Sequence, residues 1–218
     1  MHFEYGSKEI EFLKDRDELL GSAIDRIGHI YREVNIDIFS SIIYHIIGQQ
    51  ISTSAQATIW ERLISKIGIV NVDTICSLEL TELQKFGMTF KKAEYIKNFE
   101  EKVRNEEFRI DALNDLPNAD VIKELSTLRG IGIWTAEMIM IFCMQRPNVV
   151  SFGDLAIHRG MRMLYHHRNI DRKRFEKYAK RYSPYGTVAS LYLWAIAGGA
   201  IPEMSDYAPK KKNEVGKK

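Results

Sequence analysis

Leu128-Arg129-Gly130-Ile131-Gly132-Ile133-Trp134-Thr135-Ala136 is the stretch on which the fold turns. Residues 118–127 before it carry apolar positions at helical spacing, and Trp134 to Met144 after it read as a strongly apolar helix. Between the two, the chain narrows to Gly-Ile-Gly. Two glycines two apart admit backbone angles that other residues avoid, and they clear side chains from the main chain. The helix starting near Ile133 adds its unpaired N–H groups and the positive end of its dipole. The segment therefore predicts a hairpin between two helices with a backbone anion site suited to a phosphate. Taken alone, Gly-x-Gly favours a plain helix–helix turn.

Working outward, the pattern stays helical. Ile36, Ile38, Phe39, Ile42, Ile43, Ile46 and Ile47 form a wide apolar face on a helix of roughly residues 35–47. Ala55, Ile59, Leu63, Ile64 and Ile67 predict a second helix, with Gly48 to Ser54 as the joint. Further helices are expected over 79–86, 90–103, 155–165, 172–182 and 185–198, and Gly87 reads as a helix stop. The first ten or so residues, with Phe3, Tyr5, Ile10 and Phe12, are the place for a short extended piece. The fold class is mostly all-α. The reading is one unit over 1–218, with a lobe of about 35–130, a second lobe of 131–205 joined by the N-terminal segment, and a basic tail at 206–218.

The composition excludes several classes. With 218 residues, 45% hydrophobic and 28% charged, the chain is of ordinary globular make-up. No apolar run approaches the ~18–20 residues of a membrane span, and the charged N-terminus is no secretory signal. Cys76 and Cys143, sixty-seven positions apart, supply neither a disulfide scaffold nor a four-thiolate metal site; a reduced, cytoplasmic chain is the default. There is no phosphate-binding lysine loop, no dinucleotide fingerprint and no His-Glu-x-x-His. The net charge of +2 hides a division: residues 1–40 hold nine acids against five bases, and residues 155–182 nine bases against two acids. The basic segment reads either as a polyanion-facing surface or as a solvated helix face.

The hairpin does not stand alone. Asp154, in Gly153-Asp154-Leu155-Ala156-Ile157, follows Gly132 by twenty-two residues. Upstream lie Ile47-Gly48-Gln49-Gln50-Ile51-Ser52 and Phe86-Gly87-Met88 with Lys92-Ala93 and Ile96; downstream lies Leu191-Tyr192-Leu193-Trp194. In this order the pieces resemble the helix-hairpin-helix DNA glycosylase superfamily, and within it the 3-methyladenine DNA glycosylase II type, over roughly residues 35–200. The resemblance implies two helical lobes with a DNA-binding cleft between them, and a base everted from the duplex.

Residue by residue, the resemblance implies the following. Asp154 is the catalytic carboxylate, stabilising the oxocarbenium-like sugar of the transition state and orienting water; by position it is also a helix N-cap, the alternative reading. Trp134 stands where strand-nicking relatives carry a nucleophilic lysine, which implies a monofunctional enzyme that leaves an abasic site. Trp134 and Trp194 correspond to pocket aromatics whose electron-rich faces suit a cationic alkylated purine. Tyr44, Tyr185 and Tyr192 are further candidates, with a core role as the alternative, and Trp60 is read as structural. Gln50 takes the position of the side chain that plugs the vacated stack, with Gln49 or Ile51 as alternatives. Arg129, Gly130, Ile131, Gly132 and Thr135 contact the DNA backbone. The carbonyls of Ser126, Leu128 and Ile131 are candidate ligands of a structural cation; no cofactor is required, and no iron–sulfur cluster is expected. Gly153 departs from the Pro or Asp common before the aspartate, which loosens that loop. The partner implied is double-stranded DNA with damaged bases, the state a monomer, with no membrane association. Two other readings stay open: a non-catalytic helix-hairpin-helix DNA binder, and a glycosylase for deaminated, oxidised or mismatched bases.

Overall fold

Polar caps set where the helices begin. Asp17, Asp37, Ser52, Asn71, Thr89, Asp154 and Asp171 each sit just before a helix and accept a backbone N–H of its first turn through the side chain. A computed structural model describes residues 1–209. Among the described residues the chain is helical, and its extended pairing is a single antiparallel bridge between His2 and Glu33. The chain divides into two compact units.

The first unit comprises Met1–Phe3 and Glu33–Arg146. Its helices are α3 (Ile38–Gly48), α4 (Thr53–Ile67), α5 (Val72–Cys76), α6 (Leu80–Lys85), α7 (Phe90–Arg104), α8 (Asn118–Leu125) and α9 (Ile133–Phe142), with a short 3-10 turn at Asp111–Asp115. Ile42, Ile43, Ile46 and Ile47 of α3 are wholly buried, and α3 packs on α4, α7 and α9. Phe39 stacks on Phe99 with ring centres 5.0 Å apart. Gly87 ends α6 at φ 111°, as the glycine stop predicted. Cys143 is buried, and burial pushes its thiol up to about 11.

Of the described residues, the second unit comprises Glu4–Arg32 and 147–209. It holds α1 (Ser7–Arg16), α2 (Glu18–Ile27), α10 (Leu155–Tyr165), α11 (Arg172–Tyr182) and α12 (Gly186–Ala197). Its hub is the buried Asp17. One oxygen caps α2 through Leu20 N at 3.0 Å; the other accepts from Tyr165 OH at 2.7 Å and Arg181 Nη1 at 2.6 Å. Tyr182 OH lies 2.6 Å from Tyr165 OH. One carboxylate thus ties α2, α10 and α11, and its full complement of donors offsets the cost of burying charge. The closest packing is α10 on α12. A Cβ on Gly160 would overlap the Leu193 carbonyl, so only glycine allows the two helices this approach.

Three expectations are corrected. The first residues are not an extended piece beyond His2: α1 starts at Ser7, because Ile10 and Leu13 lie one helical turn apart and Leu13 is wholly buried. The lobe boundary falls at 146/147 and not at 130/131, because α9 packs on α8 and α3. The ordered body also runs past residue 205: Arg162 holds Asp206 through two bonds of 2.7 and 2.6 Å, and the Tyr207 ring lies 4.7 Å from that of His166. The lysines of the expected basic tail, Lys210 to Lys212, Lys217 and Lys218, lie outside the described residues.

Gly160→Ala is expected to lower stability by about 1–3 kcal/mol, the usual cost of overpacking, measured by thermal or urea unfolding. Wild-type stability would show that α10 and α12 can separate without loss.

Candidate active site and nucleic-acid interface

In the second unit the site is built around Asp154. It is buried, 7% exposed, at the N-cap of α10. Its Oδ1 accepts from the amides of Ala156 at 2.8 Å and Ile157 at 2.9 Å, and from the indole Nε1 of Trp194 at 3.2 Å. The cap and the candidate catalytic group are therefore the same carboxylate. Helix amides fix its height, and the indole, brought in by α12, fixes its rotation. Trp194, expected only as a pocket wall, is also the orienting partner of Asp154.

The loop before Asp154 is not loose, despite Gly153. The His158 ring meets the Phe152 carbonyl at 2.8 Å through Nε2. Phe152 packs edge-on to Phe175 at 5.0 Å, and the Arg172 guanidinium sits over the Phe152 ring at 4.1 Å. His158 stands one turn along α10 from Asp154 and does from the helix what a proline would do from the loop.

In the first unit the hairpin has the expected form. Leu128 and Ile131 are buried and anchor it, and Ile131 N donates to Leu128 O at 3.1 Å. Gly130 is left-handed, with φ 86°, and a Cβ there would strike the Tyr95 ring. Gly132 caps α9 without a side chain, and open space surrounds the place where its Cβ would be. Arg129, Gly130, Gly132 and Ile133 are exposed, so the main chain at the start of α9 can be approached closely. Trp134 is 46% exposed in the first turn of α9. Thr135 departs from expectation: its side chain is buried, so what it offers a ligand is its backbone amide.

The joint after α3 is a tight, tied turn. Gln50 is exposed and left-handed at φ 58°, a conformation costly for a non-glycine residue. Gln49 is turned the other way, and its Nε2 donates to Gly130 O at 2.6 Å. Ile51 is partly exposed. Of the three wedge candidates, Gln50 and Ile51 are exposed, whereas the Gln49 side chain is engaged by the hairpin. Gln56 Nε2 donates to Tyr44 O at 2.8 Å, and Lys92 Nζ donates to Ile47 O at 2.8 Å and Gln49 O at 2.6 Å. The Tyr44 ring packs edge-on to Trp60 at 5.2 Å, and both are half-buried.

The chain that carries these features has relatives among known proteins. The family model for HhH-GPD superfamily base excision DNA repair proteins matches residues 43–184. The chain belongs to the HhH-GPD superfamily. A solved DNA-3-methyladenine glycosidase from Bacillus halodurans is similar over 94% of this chain and 95% of its own, with 31% identity and a TM-score of 0.82. DNA-3-methyladenine glycosylase 1 of Schizosaccharomyces pombe is 27% identical over 79% of this chain and 78% of its own length. The DNA-3-methyladenine glycosylase of Bacillus subtilis is 24% identical over 73% of this chain. The HhH-GPD chain spans only 57% of that protein's length, and 59% of another B. subtilis relative.

Charge alone overstated the free basic surface of this HhH-GPD chain. Arg181 is consumed by Asp17, Arg162 by Asp206, and Arg172 and Arg174 face Glu176 and Asp171 at 3.8 and 3.4 Å. Arg168, Lys173, Lys177 and Lys180 remain exposed. His158 and Gln56 had no signal in the sequence, because each acts on a backbone carbonyl set by the fold.

Gln50→Gly is expected to melt at or above the wild-type temperature, since glycine removes the left-handed penalty of about 1–2 kcal/mol at a smaller entropic cost. Gln50→Val should melt lower. The reverse order in thermal melts would show that the joint does not hold this turn.

Proposed function

We propose that the chain is a monofunctional DNA glycosylase of base excision repair. It everts alkylated purines of the 3-methyladenine and 7-methylguanine type from double-stranded DNA and hydrolyses the N-glycosidic bond, leaving an abasic site. The observation that carries the reading is Asp154, a buried carboxylate held by two helix amides and an indole N–H. Family membership and the relatives named 3-methyladenine glycosylases support it.

As the glycosidic bond breaks, positive charge develops on the deoxyribose. A carboxylate already fixed in place stabilises that charge without reorganising, which is where preorganised electrostatics contributes most. The base leaves as the neutral purine with the bonding electron pair, water oriented by Asp154 adds to the sugar carbon, and the proton the water loses passes to Asp154. Trp134 and Trp194 supply aromatic faces for a cationic base, whose glycosidic bond is already weakened. Trp134 has no nucleophilic nitrogen where a lysine would form a Schiff base, so strand cleavage is not part of the activity. The hairpin amides other than that of Ile131, which is already bonded to Leu128 O, hold a strand phosphate, and Gln50 fills the gap left in the stack. Leu128 O keeps a second lone pair beyond its bond to Ile131 N, so with the carbonyls of Ser126 and Ile131 it could hold a hard cation, which would add positive charge for a strand phosphate. The enzyme works as a monomer in a reduced compartment with chromosomal DNA and needs no redox cofactor. Among the described residues, no helix is long and apolar enough to cross a membrane.

The test is base release from duplexes carrying 3-methyladenine, 7-methylguanine, hypoxanthine or oxidised guanine. Asp154→Asn keeps a good N-cap, so it should melt and bind abasic-analogue DNA like wild type while releasing methylated purines on the order of 10²–10³-fold more slowly. Wild-type release by this variant would remove Asp154 from the mechanism. No release by the wild type from any of the four would leave the non-catalytic binder. An adduct trapped by borohydride would contradict the monofunctional reading.

A further inference from the structure

Lys92 is misplaced for the helix that carries it. It lies in the first turn of α7, where the dipole disfavours a cation. It is half-buried, and burial pulls its ammonium below the usual lysine range. Its head group points at the end of α3, where carbonyls have lost their helical partners. Two of those carbonyls, Ile47 O at 2.8 Å and Gln49 O at 2.6 Å, accept from Nζ. The next residue is Gln50, at φ 58°. On the other side of the turn, the Gln49 side chain reaches Gly130 O at 2.6 Å.

We propose that Lys92 is a positioning residue for the wedge: with the Gln49 side chain it braces the joint after α3 against the phosphate-holding hairpin, so that gripping the strand sets the depth at which Gln50 enters the stack. The inference rests on the glycosylase reading above and assigns Lys92 no contact with DNA. The physical basis is the cation. A neutral apolar side chain would leave the two carbonyls beside Gln50 without their donor, and the strained turn would relax toward ordinary angles. Gln50 would then shift relative to the hairpin, and small misplacements of a positioned group cost large factors in rate.

The test uses Lys92→Met and Lys92→Arg in the full chain, with a duplex carrying 2-aminopurine at the target position as the eversion probe. Lys92→Met should reduce the eversion signal, and single-turnover release of 7-methylguanine, about tenfold or more. Lys92→Arg, which keeps a charged donor, should recover part of both. The salt dependence of binding to an abasic-analogue duplex should keep the wild-type slope in both variants. A slope smaller by about one would make Lys92 a phosphate ligand and overturn the brace, as would unchanged eversion in Lys92→Met. If Lys92→Met does not fold, Gln49→Leu tests the other half of the brace: it should show the same loss of eversion at a near-wild-type melting temperature, and normal eversion would overturn the proposal. Eversion needs no chemistry, so a wild type that everts without releasing base would sink the glycosylase reading and leave the brace standing. Release with normal eversion in the variants would sink the brace alone.

Discussion

The hydrogen bond from Trp194 Nε1 to Asp154 Oδ1 joins residues forty positions apart and depends on how closely α10 and α12 approach. That approach is set at Gly160, where the Leu193 carbonyl occupies the space a side chain would need. A methyl group there would move the indole away from the carboxylate. The unit spends a glycine inside a helix, at a propensity cost of about 1 kcal/mol, to bring a third donor onto a group that its own helix already caps with two amides. The result is a carboxylate with little freedom to rotate, the property that electrostatic stabilisation of a short-lived cation requires.

The first unit solves a related problem at helix ends. The end of α3 and the start of α9 both leave backbone groups without helical partners. At α9 the amides are left accessible, because Gly132 brings no side chain to cover them. At α3 the Ile47 carbonyl, and that of Gln49 just beyond it, are covered by Lys92. One end is left open, and the other is closed around a strained turn. The Gln49–Gly130 bond links them, so the two loops form one rigid edge within this unit.

The charge division along the chain also has a structural account. The acidic N-terminal stretch supplies Asp17, and the basic stretch supplies Arg181 to meet it inside the second unit. Tyr165 and Tyr182 complete the network, and burial raises both phenols well above the ordinary tyrosine range. Part of what looks in the sequence like a surface for polyanions is thus internal bonding. The exposed remainder on α11 is lysine-rich, and α11 begins beside the loop that leads to Asp154 through Arg172 and Phe152.

The sequence alone determined the helical class, the hairpin, Gly87 as a stop, and Asp154 as a helix cap. Each is a local matter: helical periodicity, glycine geometry and N-cap chemistry act within a few residues. It also narrowed the wedge to three neighbours in one joint. Only the tertiary structure set Gln49 apart from its two neighbours, because its side chain is bound to a carbonyl eighty-one residues away. For the same reason α1 escaped notice: its apolar face is short, and its worth lies in the unit it packs against. The clamp of His158 on Phe152 and the reach of Lys92 into α3 were equally illegible, since a side chain bound to a backbone carbonyl leaves no pattern at fixed spacing. Local chemistry can be read along the chain, but hydrogen bonds between distant segments exist only once packing has brought their partners together.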